Sequence, residues 1–138
     1  MYTDRCMHQA YPYSQIRLRP VSGNIGAEIT EVDLRSVDDA TFEEIHHALL
    51  ENEVLFFPGS NLDDESQMAL AHRFGQPSVF PVLKLMGATG PTFQVIEDGP
   101  DSPNEANYWH TDVTWTEDPP KVALLRAGVV PESGGDTM

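Results

Sequence analysis

Helical periodicity in this sequence is confined to two early segments, and this restriction narrows the possible folds more than any other feature. The first predicted helix follows Asp38, a plausible N-cap, and buries a face that includes Ile45 and Leu49. The second begins near Asp64 and ends before Gly75, since glycine commonly follows the last turn of a helix. The rest of the chain must then be built largely from strands and loops.

Short apolar or alternating runs make up most of the remaining sequence, separated by glycine, proline and polar residues. Runs of this length predict strands, because side chains alternate between the two faces of a strand. The segment 76–90 has no period and is predicted to be a long loop. Strands are predicted at 16–21, 25–29, 53–57, 93–97, 107–115 and 121–127. The predicted fold class is therefore mixed α/β, mainly β.

Composition and charge limit what the chain binds and where it works. The 138 residues suffice for one domain, predicted at 15–138 after a flexible N-terminal tail at 1–14. A formal net charge of −14 argues against nucleic acids and anionic membranes as partners, because both bind basic surfaces. The single cysteine excludes an internal disulfide, and no segment resembles a signal peptide or a membrane span. We therefore expect a cytoplasmic protein.

His110 and Asp112 form a His-x-Asp pair within the stretch 107–115. In an extended segment, residues two apart point to the same side, so the imidazole and the carboxylate would face one common point. Together they are two thirds of the 2-His-1-carboxylate ligand set of non-haem Fe(II) oxygenases. The other histidines all precede the motif. The adjacent His46 and His47 cannot serve one site, because neighbouring residues of a helix point in different directions.

The residues around this pair carry a wider pattern. Trp-His-Thr-Asp-Val-Thr-Trp at 109–115 is followed by Pro119-Pro120 and then by Gly-Gly-Asp-Thr at 134–137. This order of motifs resembles the taurine dioxygenase family (TauD/TfdA-like) of Fe(II)- and 2-oxoglutarate-dependent oxygenases. The resemblance runs from about residue 16 to residue 138 and covers roughly the first half of a typical member. It implies a double-stranded β-helix (a jelly roll, cupin-like) with flanking helices, incomplete at the C-terminus.

The resemblance also implies a chemistry and a set of site residues. His110 and Asp112 would bind Fe(II), and the Thr137 hydroxyl would bind the co-substrate 2-oxoglutarate. With O2, such an enzyme hydroxylates an aliphatic C–H bond of a small organic acid (a sulfonate, a sulfate ester or a carboxylate). Phe80 and Leu83 occupy the positions at which taurine dioxygenases have a histidine and a tyrosine that bind the sulfonate. Taurine itself is therefore not the expected substrate. Together with Val113, they predict a substrate site for an acid with an apolar or aromatic body.

In members of the family, the second histidine that binds iron and the arginine that binds 2-oxoglutarate lie in the C-terminal half of the chain. The chain is therefore expected to be the N-terminal half of a dioxygenase. The alternative is a truncated, non-catalytic remnant that acts through self-association or a partner, and a homo-oligomer fits either hypothesis. A zinc hydrolase built on His110 and Asp112 is disfavoured, because no His-x-x-x-His or comparable spacing supplies a third ligand.

Overall fold

The computed structural model describes residues 11–90, 93–97, 99 and 108–133, which form short strands and helices. The strands are β1 (Arg17–Pro20), β2 (Ala27–Thr30) and β3 (Leu55–Phe56), and the helices are α1 (Asp39–Asn52), α2 (Asp64–Phe74) and α3 (Pro81–Leu85). The chain divides into two compact units, Met1–Ser66 and Gln67–Met138, with the boundary inside α2. Within the described ranges, every helix is too short or too polar to cross a bilayer.

β2 is the central strand of the sheet and contributes two of the most buried residues of the first unit. It pairs antiparallel with β1 and parallel with β3. Ala27 and Ile29, two apart on the strand, share one face and are 0% and 1% exposed. The predicted strands at 16–21 and 25–29 are confirmed and pair as a hairpin. Both predicted helices and the predicted strand at 53–57 are also confirmed, although β3 is only two residues long.

Gly26 lies where the turn of the hairpin enters β2. Its φ of 92° is in the region that glycine adopts readily and other residues rarely do. Its carbonyl accepts a hydrogen bond from Val21 N at 2.8 Å, and its own N–H donates to Asn52 O at 2.8 Å. A Cβ at this position would lie 3.4 Å from the Phe56 ring. The glycine therefore permits the positive φ, whereas a Cβ there would only be in ordinary van der Waals contact with the Phe56 ring.

Helix α1 has a cap at each end. The carboxylate of Asp38, whose backbone is extended, accepts a hydrogen bond from Thr41 N at 2.8 Å. At the other end, Glu53 has a φ of 65°, and its N–H donates to Leu49 O at 2.7 Å. These contacts satisfy backbone groups that the helix itself leaves unpaired. The N-terminal cap is the one predicted from the sequence.

Glu44 is a buried carboxylate of α1, 6% exposed, that holds the preceding chain segment against the helix. Its Oε1 accepts hydrogen bonds from the Ser14 N–H and hydroxyl, both at 2.8 Å. Its Oε2 accepts from Gln15 N at 2.9 Å and from Ile16 N at 3.2 Å. Burial alone would raise the pKa of Glu44, but these hydrogen bonds outweigh burial and hold the pKa below its ordinary value. Glu44 is therefore a charged anchor between α1 and the segment that leads into β1.

We expect the first unit to lose stability in acid because of Glu44. Its folded pKa lies below the ordinary value of 4.5, so the unfolded chain binds the proton more readily. The stabilisation is complete above about pH 4.5 and is lost as the pH falls from there through the folded pKa. Urea unfolding of the wild type and of Glu44→Gln over a pH series measures this effect. The difference in free energy of unfolding between the two should shrink below pH 4.5, and a constant difference would count against the assignment.

The second unit differs from the sequence-based prediction. The segments 93–97, 121–127 and 108–115 contain no strand, and the predicted loop 76–90 contains the helix α3. A strand needs a neighbour to pair its backbone groups, and residues 93–97 are all exposed. The mixed class is confirmed as a small sheet with helices. The expected predominance of strands is not found in the described residues, since the two long helices contain 14 and 11 residues.

Candidate metal centre

His110 is held in one orientation by the backbone of an earlier residue. Its Nδ1 lies 2.8 Å from the carbonyl oxygen of Tyr108. Since a carbonyl oxygen can only accept, Nδ1 carries a proton, and in the neutral form of the ring the lone pair is on Nε2. The Tyr108 ring lies 5.2 Å from the imidazole and is tilted by 54°. A histidine that binds a metal through one nitrogen typically donates its other N–H to a carbonyl or carboxylate in this way.

Asp112 faces the free nitrogen of His110. Its Oδ1 lies 3.5 Å from Nε2, and the side chains of His110 and Asp112 are 41% and 79% exposed. Two atoms that each bind one metal ion at about 2.1 Å can lie no more than about 4.2 Å apart, and the observed separation is within this limit. An imidazole nitrogen and a carboxylate oxygen are also the donor types that Fe(II) binds in oxygenases. The pair therefore fits two positions around one metal ion.

A turn at residues 111–116, called the motif turn below, begins directly after His110 and includes Asp112. Within it, Val113 has a φ of 55°, a conformation that costs residues other than glycine about 1–2 kcal/mol. The Thr116 N–H and hydroxyl donate to the Val113 carbonyl at 3.3 and 2.9 Å, and the hydroxyls of Thr111 and Thr114 lie 2.7 Å apart. The prediction of an extended motif is therefore wrong for these residues, because the threonine hydrogen bonds close the chain into a turn.

The other residues with predicted site roles lie in different surroundings. Phe80 precedes α3, is 38% exposed, and accepts a hydrogen bond from Lys84 N through its carbonyl at 3.0 Å. Leu83 is half-buried within α3, and Val113 is buried. Thr137 lies outside the described residues. The substrate and cofactor roles of these residues stay predictions.

The histidines of α1 have contacts of their own. The His46 ring is parallel to the Phe42 ring, with centroids 6.1 Å apart. The His47 ring stacks on Tyr11 at 3.9 Å, and its Nδ1 lies 3.6 Å from Glu51 Oε2. Across the residues that the structure describes, no three or more histidine, cysteine, aspartate or glutamate side chains gather into a possible metal site. The described part of the chain thus offers His110 and Asp112 without a third ligand.

The contact between the Tyr108 carbonyl and His110 was not predicted from the sequence. The contribution of Tyr108 is a backbone carbonyl, which every residue possesses, so its identity carries little signal. The left-handed conformation of Val113 is equally hidden, because valine disfavours positive φ and would not be chosen for such a position. In each case the available cue is nearness to His110 or Asp112 in the sequence.

In this chain an imidazole with one hydrogen-bonded nitrogen faces a carboxylate. Mononuclear metal enzymes such as the non-haem Fe(II) oxygenases bind their metal through these two types of side chain. The sequence matches the family described as "Taurine catabolism dioxygenase TauD, TfdA family" over residues 17–138. The chain belongs to this family, and the resemblance inferred from its motifs is confirmed. The alpha-ketoglutarate-dependent dioxygenases of this family use Fe(II) and 2-oxoglutarate.

Three curated relatives resemble this chain over most of its length. An alkylsulfatase of Acinetobacter baylyi is 43% identical over 128 residues, covering 91% of this chain and 39% of that protein. An alpha-ketoglutarate-dependent sulfate ester dioxygenase of Pseudomonas putida is 43% identical over 126 residues, covering 90% and 41%. A (S)-phenoxypropionate/alpha-ketoglutarate-dioxygenase of Sphingobium herbicidovorans is 34% identical over 124 residues, covering 87% and 43%. The chain thus spans about two fifths of the length of these relatives.

Proposed function

We propose that this chain supplies two iron ligands of an Fe(II)- and 2-oxoglutarate-dependent dioxygenase that hydroxylates an aliphatic C–H bond of a small organic acid. The observation that carries the proposal is the 3.5 Å approach of Asp112 Oδ1 to His110 Nε2. The other ring nitrogen, Nδ1, is hydrogen-bonded to the Tyr108 carbonyl. Membership of the dioxygenase family supports the same reaction class. We propose the double-stranded β-helix as the fold of the complete enzyme.

Each residue of the centre has a separate role in this proposal. His110 Nε2 and Asp112 Oδ1 would bind the iron, and the third ligand would come from outside the described residues. The Tyr108 carbonyl keeps the ring proton on Nδ1, so that Nε2 stays available. The Asp112 carboxylate offsets one of the two charges of Fe(II), and the Thr137 hydroxyl would hydrogen-bond 2-oxoglutarate. When bound, iron and 2-oxoglutarate supply the activation of O2.

The proposed reaction balances without a further reductant. 2-Oxoglutarate loses CO2 and becomes succinate, which takes one oxygen atom of O2. The other oxygen atom enters the substrate as a hydroxyl group. If the hydroxylated carbon bears the ester oxygen of a sulfate, its C–O bond to the sulfate breaks, and the products are an aldehyde and free sulfate.

An alkyl sulfate ester is the substrate class that we propose. The two relatives at 43% identity are named alkylsulfatase and sulfate ester dioxygenase. Phe80 and Leu83 give the segment at α3 apolar side chains that suit the alkyl part of such an ester and not its sulfate group. Trp109 and Trp115, which flank the pair in sequence, are 85% and 72% exposed. Apolar surface of this kind suits an alkyl chain, since each buried CH2 contributes about 0.8 kcal/mol.

Turnover is expected to distinguish alkyl sulfates from taurine. Hexyl sulfate should stimulate succinate release at least about tenfold more than taurine, because each extra methylene that becomes buried adds about 0.8 kcal/mol of binding. Succinate and free sulfate are measured together, with Fe(II) and 2-oxoglutarate present. Equal turnover of taurine would overturn the substrate class. Absence of stimulation by any sulfate, sulfonate or carboxylate would overturn the dioxygenase assignment itself.

A further inference from the structure

β3 is an edge strand of the sheet in the first unit, and β2 is its one neighbour among the residues that the structure describes. The Val54 carbonyl, directly before β3, accepts a hydrogen bond from Ala27 N at 2.9 Å. Successive residues of a strand direct their backbone groups to opposite sides, so the N–H and C=O of Leu55 lie along the outer edge. Such an edge is a template on which another extended segment can pair.

The two edges of the sheet differ in their protection against pairing. β1, the other edge strand, contains Arg17 and Arg19, both ion-paired with glutamates, and ends at Pro20, which has no N–H. Charged side chains and proline are features by which natural edge strands avoid pairing with other chains. β3 consists of Leu55 and Phe56 and has neither feature. The edge of β3 is therefore the one that is suited to a further strand.

The residues at this edge are apolar and uncharged. Val54 and Phe56 are two apart, so they share a face, and they are 42% and 49% exposed. No charged residue occurs from position 54 to position 62. Because the chain has a formal net charge of −14, two copies repel each other over most of their surface. Contact along this uncharged edge avoids that repulsion, which favours a second copy of the chain as the occupant.

We infer that β3 is a self-association surface, at which two copies of this chain pair antiparallel about Leu55. In this register the N–H of each Leu55 donates to the C=O of the other, which gives two hydrogen bonds related by a twofold axis. Phe56 of each copy lies opposite Val54 of the other, so the exposed apolar side chains cover one another. The two three-stranded sheets become one continuous sheet. This surface does not depend on the proposed metal site.

Three variants of the full chain test this pairing. Val54→Glu and Phe56→Lys each place an unpaired charge against an apolar side chain of the other copy. A mixture of these two variants instead brings the introduced carboxylate and ammonium groups together. Val129→Glu is the matched control, since Val129 is 94% exposed and lies in the second unit. Sedimentation equilibrium measures the mass and the dissociation constant of the dimer. Hydrogen exchange followed by NMR measures the protection of the Leu55 amide.

We expect a dimer in the wild type and in Val129→Glu. Its dissociation constant should rise at least about tenfold in Val54→Glu and in Phe56→Lys, because a buried charge without a partner is costly. The mixture of both variants should recover the dimer. The Leu55 amide should exchange at least about tenfold more slowly in the wild-type dimer than in monomeric Val54→Glu.

A monomeric wild type would overturn the inference, and so would a dimer that neither Val54→Glu nor Phe56→Lys weakens. Failure of the mixture to recover the dimer would overturn the pairing about Leu55. If the single variants unfold, the wild type decides alone. Exchange of the Leu55 amide that slows as rising concentration drives dimer formation supports the surface, and exchange that is independent of concentration refutes it.

Discussion

Succinate release from 2-oxoglutarate is expected to fall at least about 100-fold when Asp112 is replaced by alanine. Loss of the hydrogen-bond partner behind a metal ligand typically costs about 10–100-fold in affinity or activity, so loss of the ligand itself should cost at least as much. Asp112 Oδ1 lies 3.5 Å from His110 Nε2, and alanine offers no atom to replace it. The measurement is succinate release with Fe(II), 2-oxoglutarate and an alkyl sulfate, at a metal concentration that saturates the wild type.

Asp118→Ala is the matched control for this prediction. Asp118 is an exposed aspartate shortly after the motif turn, so the variant makes the same change of charge and size nearby. Its activity should stay close to that of the wild type, since substitutions on an exposed surface usually have small effects. Full activity of Asp112→Ala, or an equal loss in both variants, would show that Asp112 is not a ligand.

Replacing Glu44 with alanine is expected to lower the free energy of unfolding of the first unit by about 3 kcal/mol. The carboxylate accepts three backbone hydrogen bonds and one hydroxyl hydrogen bond from residues 14–16. A buried donor left without its partner costs about 1–3 kcal/mol. Water can reach Ser14 and Gln15, which are exposed, so the total stays below the full sum. Urea unfolding followed by circular dichroism at neutral pH measures the change.

Glu43→Ala is the corresponding control on α1. Glu43 is the exposed neighbour of Glu44, and its loss removes the same charge without the buried anchor. Its effect should stay within about 0.5 kcal/mol, as is usual on a protein surface. Similar destabilisation by both variants would mean that helix charge, rather than the hydrogen bonds of Glu44, stabilises the unit.

The strands β1 and β2 and the helix α1 could be predicted from the sequence because local residues determine them. Asp38 caps α1 through a hydrogen bond to Thr41, three residues later. Gly26 permits the positive φ at the start of β2. The anchor at Glu44 could not be predicted, because a glutamate in a helix gives no sign that it is buried against a segment about 30 residues earlier. Only the folded chain brings Ser14 to that carboxylate.

The predicted strands of the second unit show where local pattern is insufficient. Residues 93–97 and 121–127 have apolar content typical of strands, yet Val95 and Leu125 are 84% and 88% exposed. Strand formation depends on cross-strand neighbours more than on intrinsic preference. Those neighbours are distant in sequence, so the pattern alone does not determine whether a strand forms. The helix α3 shows the converse, since Pro81 at its first position favours a short helix within a predicted loop.

The two ligand residues of the candidate centre could be predicted from the sequence, but the backbone conformation around them could not. His110 and Asp112 were identified because imidazole and carboxylate are the side chains that Fe(II) binds. Their approach to 3.5 Å occurs beside a turn, whereas the sequence pattern predicted a strand. The turn depends on the positive φ of Val113 and on threonine hydrogen bonds. Neither feature follows from the preferences of valine or threonine, which both favour strands.

An anaerobic titration with Fe(II) in the presence of 2-oxoglutarate tests the proposed metal centre most directly. The chelate of 2-oxoglutarate with protein-bound iron gives a weak visible charge-transfer band. We predict a saturable band in the wild type that is lost in His110→Ala and in Asp112→Ala and kept in Asp118→Ala. A band that persists unchanged without His110 or Asp112 would contradict the proposal that this pair binds the iron.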